Sequence, residues 1–277
     1  MKTSPLTIEP GPPPVIEAEE PVLLRSQNAR GVVTLTLNRP HAFNALSEAM
    51  LVALQREFDA IAWDDSVRVV VIAADGKAFC AGHDLKEMRA TPSPDYYERL
   101  FAQCSDMMLA IQRLPVPVIA RVQGIATAAG CQLVAMCDLA VASSTAKFAV
   151  GGVNLGLFCS APGVALSRNV LRKVAFEMLV TGEFISAQEA KARGLINRVA
   201  EPDQLDAELE KLVGTILAKP RVAVAMGKEF FYRQGELGIA AAYNAASQTM
   251  ACNMMDEAAL EGVQAFIEKR PPQWNKE

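Results

Sequence analysis

The stretches FCAGHDL, residues 79–85, and GIATAAGCQ, residues 124–132, decide the fold of this 277-residue chain. Each follows an apolar run that indicates a buried strand, Val67 to Ala73 in the first case and Val118 to Val122 in the second. Each consists largely of small residues and leads into a helical pattern. Small residues let a ligand approach the main chain, and the first turn of a helix offers free N–H groups. The two stretches therefore predict a ligand site at the carboxyl ends of strands in an α/β sheet.

The pattern around these stretches alternates between strands and helices. A hairpin of two strands, Val22 to Arg25 and Val32 to Leu37, precedes a helix that Ser47 is expected to cap. A later helix carries an apolar face made of Tyr97, Leu100, Phe101, Cys104, Met108 and Ile111. Core packing is the ordinary interpretation of this face, and the lining of a ligand pocket by part of it is the alternative. The alternation predicts βαβ-type units with right-handed crossovers.

Three parts of the chain differ in composition. Residues 1–20 are rich in proline and glutamate, which predicts a disordered tail. Residues 21–200 contain the strand patterns and are expected to form the core. Residues 201–277 are helical in pattern, and Asp203 is the expected cap of a helix with a continuous apolar stripe. We find no internal repeat.

The composition argues against several classes of protein. A net charge of −4 without a basic stripe gives no reason to expect a nucleic-acid partner. The six cysteines form no C-x-x-C pair and there are only two histidines, so no metal site is expected and a reducing compartment is favoured. No apolar run approaches the roughly 18 residues that span a membrane. Neither a secretory signal nor an arginine-rich presequence is recognisable, so a cytoplasmic location is expected.

The two small-residue stretches allow two interpretations. Two backbone N–H groups that converge on one oxygen form an oxyanion hole, which activates a thioester for enolate chemistry. Alternatively, both stretches are tight strand-to-helix turns in which glycine serves packing. A phosphate-binding loop is the weaker possibility, because neither stretch matches G-x-x-x-x-G-K-[ST] or G-x-G-x-x-G.

Further short motifs accompany these stretches in a fixed order. They are NRP at 38–40, NAL at 44–46, CD at 137–138, GL at 156–157, PG at 162–163, TG at 181–182 and KR at 269–270. Each motif alone is weak, but the set is specific. Over about residues 21–274 the chain resembles the crotonase (enoyl-CoA hydratase/isomerase) superfamily.

The resemblance implies a crotonase-type spiral of ββα units with a helical C-terminal region that assembles into trimers or hexamers. It implies a coenzyme A thioester as substrate or ligand and no permanently bound cofactor. The two oxyanion donors fall on the backbone N–H groups of His83 and Ala129; the second position is usually glycine, but alanine keeps the donor. Contacts to the substrate fall on His41, Ala42, Phe43, Ala81 and Lys86.

The chain departs from the family at the two positions that hold glutamates in hydratases. The resemblance places these positions at Gln132 and Gly152. A hydratase uses the two carboxylates to activate water and to deliver a proton to the α-carbon. An amide does not ionise and glycine has no side chain, so the two-glutamate mechanism is not available to this chain.

Other side chains near the expected pocket are candidates for acid–base chemistry. Cys159 and Ser160, with Asn154, lie in a loop that the resemblance places beside the pocket, although Cys159 is equally explained as a small buried residue. The His83 imidazole is a second candidate, with packing as the ordinary alternative.

The sequence therefore favours an enzyme that polarises an acyl-CoA thioester, of the enoyl-CoA hydratase/isomerase type. A non-catalytic acyl-CoA-binding protein of the same fold is the alternative. An unrelated nucleotide-binding α/β protein is the third interpretation, and the failed phosphate motifs argue against it.

Overall fold

The computed structural model describes residues 20–274, whose strands form a six-stranded and a four-stranded sheet. The strands are β1 (Leu23–Gln27), β2 (Val32–Leu37), β3 (Val69–Ala74), β4 (Ala78–Cys80), β5 (Val118–Val122), β6 (Ile125–Thr127), β7 (Leu139–Ser143), β8 (Lys147–Ala149), β9 (Ile185–Ser186) and β10 (Arg198–Ala200). The larger sheet has the order β1-β2-β3-β5-β7-β10 and the smaller the order β4-β6-β8-β9. The predicted tail lies outside the described residues, apart from residue 20.

Helices follow the strands and continue to the end of the described chain. The α-helices are α1 (Glu48–Ala62), α2 (Leu85–Ala90), α3 (Pro94–Arg113), α4 (Ala129–Met136), α5 (Ser160–Asn169), α6 (Arg172–Thr181), α7 (Ala187–Ala192), α8 (Leu205–Leu217), α9 (Arg221–Gln234), α10 (Ile239–Met254) and α11 (Glu257–Ile267). Short 3₁₀ helices span Pro40–Ala42, Gly151–Leu155 and Pro202–Gln204. Within residues 20–274 every helix is too short or too polar to span a bilayer.

The chain winds as a spiral in which each turn adds one strand to each sheet. β3, β5 and β7 pair in parallel in the larger sheet, and β4, β6 and β8 pair in parallel in the smaller one. Helical segments that begin with α2, α4 and α5 follow the successive strand pairs. This repeat confirms the predicted spiral of ββα units.

The strands of the smaller sheet were not predicted from the sequence, which assigned residues 79–85 and 124–132 to loops. In the structure the first stretch begins inside β4, and the second contains the whole of β6. Both strands have three residues, too few to show the alternation that distinguishes a strand from a turn.

Of the two helix caps predicted from the sequence, Ser47 is confirmed and Asp203 is wrong. The Ser47 hydroxyl accepts a hydrogen bond from the Met50 amide at 3.2 Å, and Ser186 and Glu189 form a reciprocal capping box. Asp203 was expected to cap α8, but it does not. It lies inside the 3₁₀ helix Pro202–Gln204, which runs directly into α8, so no extended cap residue separates the two.

Both faces of the larger sheet are buried. Val70 and Ile72 of β3 contribute to the main core, whereas Val69 and Val71 face a second cluster. The second cluster includes residues from α8, namely Leu205, Leu212 and Val213. The apolar stripe predicted for this helix thus covers the outer face of the sheet.

One buried ion pair attaches the C-terminal helices to the core. The Lys228 ammonium of α9 lies 2.6 Å from an Asp138 carboxylate oxygen and donates to the carbonyl oxygens of Ile111 and Val116 at 2.8 and 2.9 Å. The Tyr232 hydroxyl donates to the other Asp138 oxygen at 2.7 Å. Beyond this attachment α10 buries none of its residues, and α11 buries only one, Ala265.

Candidate active site

A cavity of about 580 Å³ opens where the two small-residue stretches meet. Its wall includes six of the predicted site residues: Ala81, His83, Ala129, Gly152, Cys159 and Ser160. Apolar side chains form much of the remaining wall, among them Leu85, Met88, Phe101, Leu157, Phe158 and Phe184. None of the residues that line this cavity is an aspartate, glutamate, lysine or arginine.

The two stretches touch at Gly82. This residue has φ +95°, and a Cβ atom on it would lie 2.9 Å from the Ala128 methyl carbon and 3.2 Å from the Ala129 nitrogen. Glycine is therefore required both for the backbone conformation and for the contact. The contact brings the peptide groups on either side of it, those of His83 and Ala129, to the same end of the cavity.

Ala128 holds the second stretch in an unusual conformation. It has φ +51° and ψ −123°, which costs a residue with a Cβ on the order of 1–3 kcal/mol. Its N–H donates to the Ala149 carbonyl oxygen of β8 at 3.0 Å. A strained residue that is held by neighbouring structure is typical of sites whose geometry serves a ligand.

The backbone N–H groups of His83 and Ala129 have no hydrogen-bond acceptor within the described residues. Ala129 is the first residue of α4, where no intrahelical acceptor exists. Within the described residues neither N–H donates to another backbone or side-chain group. Two free donors at one end of an uncharged cavity are suited to an oxygen that carries partial negative charge.

A turn beside the first stretch carries three of the predicted substrate-binding residues. His41 and Ala42 lie in the 3₁₀ helix Pro40–Ala42, and the Phe43 carbonyl oxygen accepts a hydrogen bond from the Ala81 amide at 3.0 Å. His41, Ala42, Phe43 and Lys86 do not line the cavity itself, whereas Ala81 does. These four residues lie outside the cavity wall, and their contact with a ligand stays a prediction.

An ion pair fixes the helix that follows His83. Arg39 lies 3.0 Å from a carboxylate oxygen of Asp84, whose other oxygen accepts from the amides of Lys86 and Glu87. Asp84 therefore caps α2. Burial alone raises the pKa of this carboxyl, but the hydrogen bonds from Arg39 and from these amides together hold the pKa below its usual range.

Known proteins are similar to this chain over nearly its whole length. Residues 27–277 match the family described as enoyl-CoA hydratase/isomerase. The chain belongs to this family. It is 46% identical over 256 residues to the rat protein named enoyl-CoA hydratase domain-containing protein 3, mitochondrial, covering 92% of this chain and 85% of that protein. The human protein of the same name is 45% identical over 258 residues, with 93% and 85% covered.

Solved structures agree with the family assignment. An enoyl-CoA hydratase of Mycobacterium smegmatis is 71% identical, with a TM-score of 0.91, and covers 92% of this chain and 99% of its own. Human enoyl-CoA hydratase domain-containing protein 3 is 45% identical, with a TM-score of 0.88 and coverage of 91% and 100%. The predicted crotonase fold and the resemblance to the crotonase superfamily are therefore confirmed.

The comparison corrects the predicted location. The curated rat, mouse and human relatives at 45–46% identity are all named mitochondrial proteins, so the expectation of a cytoplasmic protein is wrong. That expectation rested on the lack of a recognisable presequence in the first residues. The absence of an arginine-rich composition is weak evidence about location, because such a presequence is only one route of targeting.

Gln132 is separated from the cavity although the resemblance places a hydratase glutamate there. Its side chain is only 6% exposed, and it does not belong to the cavity wall. Within residues 20–274 its buried Oε1 atom has no hydrogen-bond partner. The residue lies in the first turn of α4, three positions after the Ala129 donor.

Gly152, the second such position, lines the cavity but leaves no room for a side chain. A Cβ atom would lie 2.5 Å from the Leu157 carbonyl oxygen and 2.6 Å from the Cys159 sulfur. The Gly152 amide donates to that sulfur at 3.3 Å. Cys159 and the Leu157 backbone thus occupy the space beside this position.

The sequence predicted the backbone segments at one end of the cavity, but it did not predict most of the apolar side chains in the cavity wall. In the stripe on α3 only Phe101 lines the cavity, and Leu100, Cys104, Met108 and Ile111 pack in the core. Phe184 and Phe158 were missed because each follows a turn in which no periodic pattern marks a buried face.

We expect Gly152→Ala to lower the free energy of unfolding by about 1–3 kcal/mol, because the added methyl group overpacks the wall formed by Leu157 and Cys159. Gly227→Ala is the matched control. No atom lies within 4 Å of the Cβ position at residue 227, inside α9, so alanine should stabilise the helix by about 0.5–1 kcal/mol. Urea denaturation measures both changes. Equal stability of Gly152→Ala and the unmodified protein would contradict a closed wall.

Proposed function

We propose that this protein binds acyl-CoA thioesters and polarises the thioester carbonyl between the backbone N–H groups of His83 and Ala129. The observation that carries the proposal is the pair of unused donors at one end of an uncharged, largely apolar cavity. Hydrogen bonds from preorganised amides stabilise the enolate that forms when an α-proton leaves. The family membership supports the coenzyme A part of the substrate.

The reaction class that we propose is enolate chemistry of the enoyl-CoA hydratase/isomerase type, without the two-glutamate mechanism. Neither Gln132 nor Gly152 supplies a carboxylate, and among residues 20–274 no acidic side chain lines the cavity. Lost general acid–base catalysis costs about 10²–10⁴-fold per group. We therefore assign the protein to slow or specialised reactions rather than rapid hydration.

A non-catalytic acyl-CoA-binding function is the second candidate. The closed wall at Gly152 favours it, because the position that supplies a carboxylate in hydratases is filled by the Cys159 sulfur and the Leu157 backbone. A protein of this kind would keep the cavity and the two donors while catalysing nothing.

We expect the protein to bind crotonyl-CoA in calorimetry and to hydrate it at least about 100-fold more slowly than a two-glutamate hydratase assayed beside it. Gln132→Glu adds a carboxylate outside the cavity wall, so it should raise the rate by less than about tenfold. Absorbance of the conjugated thioester follows the reaction. Hydration at the rate of the reference hydratase would overturn the assignment, and the absence of binding to any acyl-CoA would overturn the function.

We propose in addition that the C-terminal helices assemble the protein into a trimer or hexamer. Exposed apolar side chains on α10, α11 and the turn between them include Met250, Met254, Met255, Leu260, Val263 and Phe266. Phe266 is 85% exposed, and so large an apolar surface is typical of an interface. The same helices bury almost nothing against their own chain.

Light scattering at micromolar concentration should give the mass of a trimer or hexamer. The double variant Met255→Glu, Phe266→Glu should shift the mass towards the monomer, because charge on an apolar interface is costly to bury. Trp63→Glu is the control, since Trp63 is 90% exposed and lies at the end of α1 rather than on the C-terminal helices. A monomeric unmodified protein would refute the proposal.

A further inference from the structure

The cavity wall contains two side chains that titrate between acidic and mildly alkaline pH, His83 and Cys159. Burial raises the pKa of the Cys159 thiol, so the sulfur is protonated at neutral pH and is a poor base. Burial lowers the pKa of His83, against a smaller opposing effect of the nearby Leu46 backbone. The imidazole is therefore neutral at neutral pH and carries one unprotonated nitrogen.

The His83 ring lies against the wall of the cavity. It packs edge-on against Phe101, with ring centroids 5.5 Å apart and an interplanar angle of 68°. Both residues line the cavity. Nδ1 is buried and has no hydrogen-bond partner within the described residues, so the ring carries a polar atom that its own chain leaves unsatisfied.

The backbone and the side chain of His83 serve the same cavity. The backbone N–H is one of the two free donors, and the imidazole extends from the same residue towards Phe101. A thioester whose oxygen rests on the His83 and Ala129 amides has its α-carbon one bond from the carbonyl carbon. The α-protons of such a ligand therefore lie in the neighbourhood of this residue.

We propose that the His83 imidazole is the base that removes the α-proton of a bound acyl-CoA. The inference rests on the proposed function, since it needs a thioester held by the two amides. The imidazole lone pair takes the proton, the C–H electron pair forms the C=C bond of the enolate, and the carbonyl π pair moves to the oxygen. The imidazolium then returns a proton to the α-carbon, or to the γ-carbon of a 3-enoyl ester, and no other reactant is needed.

The other charged and titratable groups around the His83 ring are engaged in hydrogen bonds of their own. The imidazole is therefore the available base. Asp84 follows it in sequence, but this carboxylate is held by Arg39 and by the amides of α2. From α3, Tyr97 stacks on Phe101, and its hydroxyl donates to the Met88 carbonyl oxygen at 2.9 Å. From the loop before α5, Cys159 accepts from the Gly152 amide.

Exchange of the α-protons of butyryl-CoA for deuterium in heavy water, followed by proton NMR, tests the proposal. The unmodified protein should catalyse exchange, and His83→Gln should lose at least about 100-fold of the rate while binding butyryl-CoA with similar affinity, because its backbone N–H persists. Tyr96→Phe is the control. Tyr96 is a titratable residue of α3 outside the cavity wall, and its removal should leave exchange unchanged.

The pH dependence separates a catalytic imidazole from a structural one. Because the pKa of His83 is lowered, exchange should stay level to a more acidic pH than an unperturbed imidazole would allow, and should fall only below that pH as the ring is protonated. A thiol base would instead give a rate that rises through alkaline pH. Added imidazole should restore part of the exchange in His83→Ala, which a loss of folding would not allow.

Calorimetry with butyryl-CoA on every variant distinguishes a failure of the proposed function from a failure of the role of His83. An unmodified protein that does not bind butyryl-CoA would overturn the proposed function and this inference together. Binding without exchange, exchange that survives in His83→Gln, or exchange that is lost in Cys159→Ser but not in His83→Gln would overturn the role of His83 alone. Loss in His83→Gln with retained binding, a level rate above the lowered pKa and rescue by imidazole would confirm it.

Discussion

The contact between Gly82 and the Ala128–Ala129 peptide is the constraint on which the site depends. Successive turns of the spiral must approach closely enough for two loops to touch, and any side chain at Gly82 would meet the Ala128 methyl carbon at 2.9 Å. Gly130 likewise has no room for a side chain, because a Cβ there would lie 2.1 Å from the Cys80 carbonyl oxygen. The pairing of β4 with β6 thus brings two backbone donors together without any catalytic side chain.

The chemistry of the cavity follows from what surrounds those donors. The wall has no charged residue, and the position of the second hydratase glutamate is filled by a sulfur and a backbone carbonyl. In such apolar surroundings hydrogen bonds to a developing enolate oxygen are stronger than in water, because the local dielectric constant is lower. The same surroundings lower the pKa of His83 and raise that of Cys159, so both side chains are uncharged at neutral pH, and the imidazole is then in the form that can accept a proton.

Sequence reasoning succeeded where a single residue decides the local structure. Ser47, Asp84 and the Ser186–Glu189 pair mark helix starts because their side chains satisfy backbone donors locally. It failed where distant packing decides. The burial of Gln132 away from the cavity and the contact of Cys159 with Gly152 depend on how α4 and the 3₁₀ helix Gly151–Leu155 pack, and no local pattern encodes this. The three-residue strands of the smaller sheet are likewise stable only as part of the spiral.

The most direct test of the account is the infrared stretching frequency of the thioester carbonyl in bound butyryl-CoA, isolated by isotope labelling of the carbonyl carbon. Two hydrogen bonds from the His83 and Ala129 amides should draw electrons to the oxygen and lower the frequency relative to the same ester in water. The shift should persist in His83→Gln, which keeps the backbone donor. A bound carbonyl whose frequency equals or exceeds that in water would contradict the polarisation of the thioester by these two amides.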